Sequence, residues 1–207
     1  MSPALIVIAK TPEPGRSKTR LSPPLSLEGA ARLAEAALAD TLAAASACPV
    51  GRRVLALDGE PGAWVPPGFE VIPQRGAGLA ERLASAFEDV GGPALLVGMD
   101  TPQLAPALLA DALARLAHPD VDAVLGPALD GGYWAIGLEH ADRRLFSGIP
   151  MSSERTFAAQ VSRLRSAGLR VRLLAPLRDV DLIDDARAVA RIAPRSRFAR
   201  ALEACAA

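Results

Sequence analysis

The sequence predicts an α/β fold, a parallel sheet covered by helices on both faces, in one domain over residues 1–207. Three observations lead there. Short apolar runs alternate with longer stretches of helical period, the order that βα units produce. Several of those runs are continuously apolar, as strands buried on both faces require. No internal repeat and no long linker divides the 207 residues, a length suited to one domain with a core of its own.

Leu5-Ile6-Val7-Ile8, rich in β-branched side chains, is the first strand. Leu27, Ala30, Ala31, Ala34, Leu38, Thr41, Leu42 and Ala45 then follow helical spacing, with Ser26 placed as the N-cap. Residues 54–57 read as a second strand, the Pro/Gly-rich residues 59–68 as a loop, and Val71-Ile72 as a short third strand. A helix is predicted over residues 79–90 and a buried strand over 94–97. Residues 104–117 read as a helix, and 123–125 and 133–138 as strands. A helix over 154–167, a strand over 171–174, a helix over 184–192 and a terminal helix complete the chain.

Composition excludes several classes. The 23 basic and 23 acidic residues balance to zero, which argues against a nucleic-acid or anionic-membrane partner for the whole surface. The two cysteines, Cys48 and Cys205, match no metal or redox spacing. No apolar run approaches a membrane span, and the first one, residues 4–9, lacks a basic leader and is short for a signal peptide. A cytoplasmic protein is expected. One asymmetry hides in the balance: Lys10 and Lys18 are the only lysines of the chain.

Both lysines lie in the loop after the first strand, which also carries Gly15, Arg16, Thr19 and Arg20. Ligands of parallel sheets bind where strands end at their carboxyl edges. Cations, backbone N–H groups and a helix start there suit a polyphosphate; the competing reading is a solvated basic loop. A P-loop is excluded, because Pro12 and Ser17 stand where its glycines belong. Gly76-Ala77-Gly78 is no dinucleotide fingerprint either, since Glu81 occupies the third small position.

Gly98-Met99-Asp100-Thr101-Pro102 ends a hydrophobic strand on a carboxylate, which either faces a cleft as a ligand for Mg²⁺ or caps the next helix. Asp130-Gly131-Gly132-Tyr133 either brings backbone close to a ligand or makes a tight turn between strands. One of Asp179, Asp181, Asp184 and Asp185 could complete a metal site with Asp100; for Asp184 and Asp185 the helix dipole is the preferred explanation. His118 and His140 have no ligand-like partner at short spacing and read as surface residues.

Taken in order, four motifs carry a resemblance from residue 9 to about 185. They are Ala9-Lys10-x-Pro12-x-x-Gly15-x-x-Lys18-Thr19-Arg20-Leu21, Gly98-x-Asp100-x-Pro102, Gly126-Pro127-Ala128-x-Asp130-Gly131-Gly132-Tyr133 and Asp179-Val180-Asp181. The chain resembles a bacterial family regarded as glycosyltransferases with a GT-A-like fold, often left as a domain of unknown function. In some bacteria it is associated with arsenosugar biosynthesis, and it is related to molybdenum cofactor and phospholactate nucleotidyltransferases. The resemblance implies a three-layer, mostly parallel nucleotide-diphospho-sugar transferase-like sandwich. It implies that the loop from Lys10 to Arg20 cradles nucleotide phosphates, that Asp100 and Asp181 hold Mg²⁺ or Mn²⁺, and that Asp130 to Tyr133 line the sugar or acceptor pocket. The segment from Gln74 to Arg82 is also similar to the family, but Gly78 and Ala80 replace its usual Asp and Gly.

The expected activity is metal-dependent glycosyl transfer from a nucleotide sugar to a small-molecule acceptor. Arg16, Lys18 and Arg20 would neutralise the diphosphate, with Lys10, Gly15, Thr19 and Arg82 completing the nucleotide site. Asp130 is the candidate base, and Gly131, Gly132 and Tyr133 the candidate substrate contacts. Two alternatives stand: nucleotidyl transfer from a nucleoside triphosphate with release of pyrophosphate, and a nucleotide-binding module without turnover.

Overall fold

The computed structural model describes residues 2–206. Every predicted strand and helix is present, with ends shifted by a few residues. β1 (Ala4–Lys10), α1 (Leu27–Ala47), β2 (Arg53–Asp58) and β3 (Phe69–Pro73) come first, then α2 (Leu79–Val90), β4 (Ala94–Gly98) and α3 (Pro106–Leu116). β5 (Ala123–Pro127), β6 (Tyr133–Leu138), α4 (Thr156–Ser166), β7 (Val171–Leu173), α5 (Ile183–Ile192) and α6 (Arg197–Ala206) follow. Ser26 caps α1 as expected, its Oγ accepting from Gly29 N–H at 3.0 Å.

Two helices start later than their apolar periodicity suggests. α3 begins at Pro106 rather than 104, because Leu104 N–H is used in a turn on the Thr101 carbonyl and proline suits a first helical turn. α4 begins at Thr156 rather than 154, because Thr156 N–H closes a turn on Ser153.

The strands form one sheet in the order β3-β2-β1-β4-β6-β5-β7. Six run in one direction, and β6 is antiparallel to both neighbours. The exception follows from chain length. A parallel return needs a crossover of roughly a dozen residues, whereas β5 and β6 are joined by the short turn from Ala128 to Gly132.

Alternation along β1 builds the two covering layers. Leu5 and Val7 pack with Leu38 and Leu42 of α1 and Leu109 and Leu113 of α3. Ala4 and Ile6 pack on the other face with Leu83 and Phe87 of α2 and Val161 and Leu164 of α4. A third cluster docks α5 and α6 on the outer side of α1, through Leu33, Val189, Phe198 and Leu202. No helix among the described residues is long and apolar enough to cross a membrane.

At the amino edge of β5 and β7, Arg170 clamps Asp122. The carboxylate accepts from Arg170 N–H at 2.7 Å and from its guanidinium at 2.9 Å. Those hydrogen bonds hold the Asp122 carboxyl down to about 2, against about 3.9 in an unfolded chain. The clamp therefore contributes stability above about pH 4 and loses it as pH falls towards 2. Asp122→Asn should lose less stability than the parent between pH 4 and pH 2 in acid melts. Equal losses would show the clamp to be inert.

Candidate active site

The carboxyl ends of the six parallel strands and the start of β6 share one edge of the sheet. β1 connects through α1 to β2 on one side, whereas β3 connects back through α2 to β4 on the other. A crevice opens where the winding reverses, between β1 and β4. Lys10 ends β1 and Asp100 follows β4, so the cation loop and the first candidate carboxylate meet there.

Lys18 is the centre of the arrangement. Its backbone is left-handed, at φ 52° and ψ 37°, ahead of a 3-10 turn over Thr19–Leu21. Its side chain is only 9% exposed, and its Nζ lies 2.7 Å from Asp100 Oδ1 and 3.6 Å from Asp181 Oδ1. The same ammonium donates to the Val180 carbonyl. Arg20 Nη1 donates to Asp181 Oδ2 at 3.0 Å. The backbone fixes the two acidic loops to each other, since Val180 N–H donates to the Asp100 carbonyl at 3.0 Å. Residues far apart in sequence thus form one charge centre.

Asp181 also belongs to a second group. One carboxylate oxygen each of Asp130, Asp179 and Asp181 lies within 4.8 Å of the others. Burial pushes the Asp179 carboxyl up to about 6, and the neighbouring Asp130 and Asp181 push the same way against Lys18. Three carboxylates thus gather beside Lys18 and Arg20. Asp130 is exposed, with Oδ1 held by Gly132 N–H at 2.8 Å. Gly131 has φ +90°, and a Cβ there would collide with the Glu154 backbone, so only glycine lets this loop close on the turn before α4.

Three recesses meet at Asp100, which lines all of them. One of about 240 Å³ lies against Lys10, Arg16, Lys18, Thr19 and Arg20. A second, of about 510 Å³, runs between β1, β4 and the start of α2, past Gln74, Gly78 and Arg82. The third, of about 800 Å³, is walled by Asp130, Gly132, Asp179 and Asp181. Tyr133 lines the second and third. Burial raises its phenol well above the ordinary range, and its hydroxyl faces Gln160 Oε1 at 3.4 Å.

The other singled-out residues vary in their engagement. Arg16 borders the small recess but pairs with Glu13 at 2.7 Å and is mostly exposed. Gly15 supplies a left-handed turn, at φ +76°, before it. Arg82 borders the second recess, braced by Asp58 at 2.6 Å and by Gln74. Asp100 does not cap α3, whose N-cap is Ala105. Asp185 accepts from Leu182 N–H at 3.0 Å at the start of α5, as the helix-terminus explanation requires. His118 is exposed, its Nδ1 accepting from Asp120 N–H. No pattern in the sequence signals that Asp58 braces Arg82 or that Asp179 gathers with Asp130 and Asp181 in one acidic group.

A family model described as an uncharacterised protein conserved in bacteria (DUF2064) matches residues 34–153. No curated protein matches the chain. Among solved structures, a candidate nucleotide-diphospho-sugar transferase from Desulfovibrio desulfuricans G20 is 28% identical. The match covers 98% of this chain and 94% of that one, at a TM-score of 0.87. The 2-C-methyl-D-erythritol 4-phosphate cytidylyltransferase of Thermus thermophilus shares the fold at 16% identity and TM-score 0.58, over 94% of this chain and all of that one. The manganese complex of Rv0371c from Mycobacterium tuberculosis H37Rv does so at 18% and 0.52, over 90% and 96%. The fold is that of the nucleotide-diphospho-sugar transferases, and the chain belongs to the DUF2064 family.

Proposed function

We propose that the protein is a glycosyltransferase that takes a nucleotide-diphospho-sugar and passes its sugar to a neutral, hydroxyl-bearing small molecule. The carrying observation is the division of charge in the cleft. The small recess is cationic and suits a diphosphate, the second has room for a nucleoside, and the third is strongly acidic. Asp100, Asp130, Glu154, Asp179, Asp181 and Asp185 line that third recess, with Arg20 as its one cation among the described residues. An acceptor phosphate, which nucleotidyl transfer to a phosphorylated substrate needs, would be repelled there. An uncharged hydroxyl would not.

Lys18 and Arg20 neutralise the donor diphosphate, with Lys10 and Arg16 at the rim. As its ammonium turns to phosphate oxygens, Lys18 releases Asp100 and Asp181. Those two and Asp179 would then hold a divalent cation. Carboxylate oxygens are the donors that Mg²⁺ and Mn²⁺ prefer, and Asp179 and Asp181 each place an oxygen within 4.8 Å of the other and of one from Asp130. When bound, the ion supplies positive charge that stabilises the leaving diphosphate. Asp130, exposed at the acceptor side and steadied by Gly132 N–H, accepts the proton of the attacking hydroxyl. Gly78 leaves the nucleoside recess without a carboxylate at that position.

Product analysis with a panel of nucleotide sugars and nucleoside triphosphates, each with Mn²⁺ and a polyol acceptor, tests this reading. Release of a nucleoside diphosphate from a nucleotide sugar is the expected result. Pyrophosphate released from a triphosphate would replace it with nucleotidyl transfer, and binding without turnover would point to a nucleotide-binding module.

A further inference from the structure

Among the described residues only Lys18 and Ser152 combine a side chain with a positive φ, at 52° and 55°. A left-handed backbone disfavours any residue with a Cβ, and such strain gathers at ligand sites. The ion pairs of Lys18 account for its position. The turn around Ser152 is held by other groups. Ser153 N–H donates to Thr156 Oγ1 at 3.1 Å, and that hydroxyl donates to the Pro150 carbonyl at 2.6 Å. Arg155 N–H donates to Ser153 Oγ at 3.2 Å. None of these bonds uses the Ser152 hydroxyl, so glycine would suit the turn better.

Ser152 also occupies a particular place. With Leu79, Asp100 and Tyr133 it lines both the nucleoside recess and the acidic recess, where the two meet. Leu79 is apolar, Asp100 is paired with Lys18 at 2.7 Å, and the Tyr133 hydroxyl faces Gln160. The Ser152 hydroxyl is the uncommitted polar group of this junction. The turn is anchored to the Asp130 loop, because Phe157 N–H donates to the Gly131 carbonyl at 2.8 Å. The backbone that carries the exposed Ser152 is therefore fixed relative to that loop.

We propose that Ser152 contacts the glycosyl group of the donor, and that its hydroxyl makes the site prefer a sugar nucleotide over the bare nucleoside diphosphate. This rests on the glycosyltransferase reading, in which the sugar must pass from the diphosphate to the acceptor across this junction. A polyhydroxylated group gives the serine hydroxyl a partner that a nucleotide lacks at that point.

The test is calorimetric titration of the parent, Ser152→Ala and Ser152→Gly with UDP, UDP-glucose, GDP and GDP-mannose in the presence of Mn²⁺, with melting temperatures recorded. Both variants should bind the sugar nucleotide about fivefold more weakly, the effect of one net hydrogen bond, and the diphosphate within about twofold of the parent. Ser152→Gly should melt no lower than the parent, because glycine accepts the left-handed backbone, so misfolding cannot produce its loss. Equal weakening towards sugar nucleotide and diphosphate, or no weakening towards either, overturns the assignment. A parent that binds the sugar nucleotides just as its variants do overturns Ser152 alone. A parent that binds none of the four ligands overturns the glycosyltransferase reading with it.

Discussion

Lys18→Met will weaken nucleoside diphosphate binding about ten- to a hundredfold, the scale of one charge-assisted hydrogen bond to phosphate. The same substitution will lower the melting temperature by about 4–8 °C. Methionine keeps the aliphatic stem but removes the ammonium between Asp100 and Asp181, which stand 2.7 and 3.6 Å from it. Breaking a fully buried pair costs about 3–5 kcal/mol. Here the lysine is 9% exposed but its partners are 44% and 34% exposed, so water screens the carboxylates left behind. A cost of about 2 kcal/mol is the appropriate discount, and a chain of this size converts it to the stated shift. A variant that melts with the parent and binds UDP or GDP as tightly would show that the lysine is a surface charge in a fixed pose.

Asp181→Asn should abolish the stabilisation of the protein by Mn²⁺. Asp181 is the carboxylate common to both acidic groups, facing Lys18 and Arg20 on one side and Asp130 and Asp179 on the other. Saturation at about 100 times the dissociation constant is worth about 2.7 kcal/mol, or roughly 5–11 °C in melting temperature. Asp179→Asn should reduce the same response, whereas Asp184→Asn, at the exposed start of α5, should leave it intact. A full Mn²⁺ shift in Asp181→Asn would move the cation site elsewhere in the cleft.

The fold was legible because its signals are local. Leu5 to Ile8 declares a buried strand, and Ser26 declares a helix start by its place before a periodic apolar stripe. The direction of β6 is a different matter. The pattern of Tyr133 to Leu138 predicts a strand, but only the short turn before it makes the pairing antiparallel. The start of α3 was blurred because Leu104 continues the apolar spacing of the helix while its N–H belongs to the preceding turn. Asp40 illustrates a contact with no sequence signature. It sits inside α1, and its carboxylate accepts from Arg197 and Phe198 N–H at the start of α6.

The candidate site was legible as residue types in order, not as contacts. Lys18, Asp100 and Asp181 stand out as charges after strands, yet nothing in their spacing says that the ammonium lies between the two carboxylates. Asp179 is separated from Asp181 by Val180 alone; both are partly buried, and what distinguishes them is the pairing of Asp181 with Lys18 and Arg20, which one sequence does not display. Ser152 is one of two adjacent serines in the sequence, and its left-handed backbone and position between two recesses exist only in three dimensions.

In the proposed function, the Lys18 ammonium holds the place that a divalent cation takes when a diphosphate is bound. Calorimetric titration of Mn²⁺ into the ligand-free parent and into Lys18→Met tests that directly, without a nucleotide to bind the metal in solution. Removing the competing ammonium should tighten Mn²⁺ binding by at least about tenfold, a gain of roughly 1.4 kcal/mol. Unchanged or weaker binding in Lys18→Met, or no Mn²⁺ binding by either protein, would contradict it.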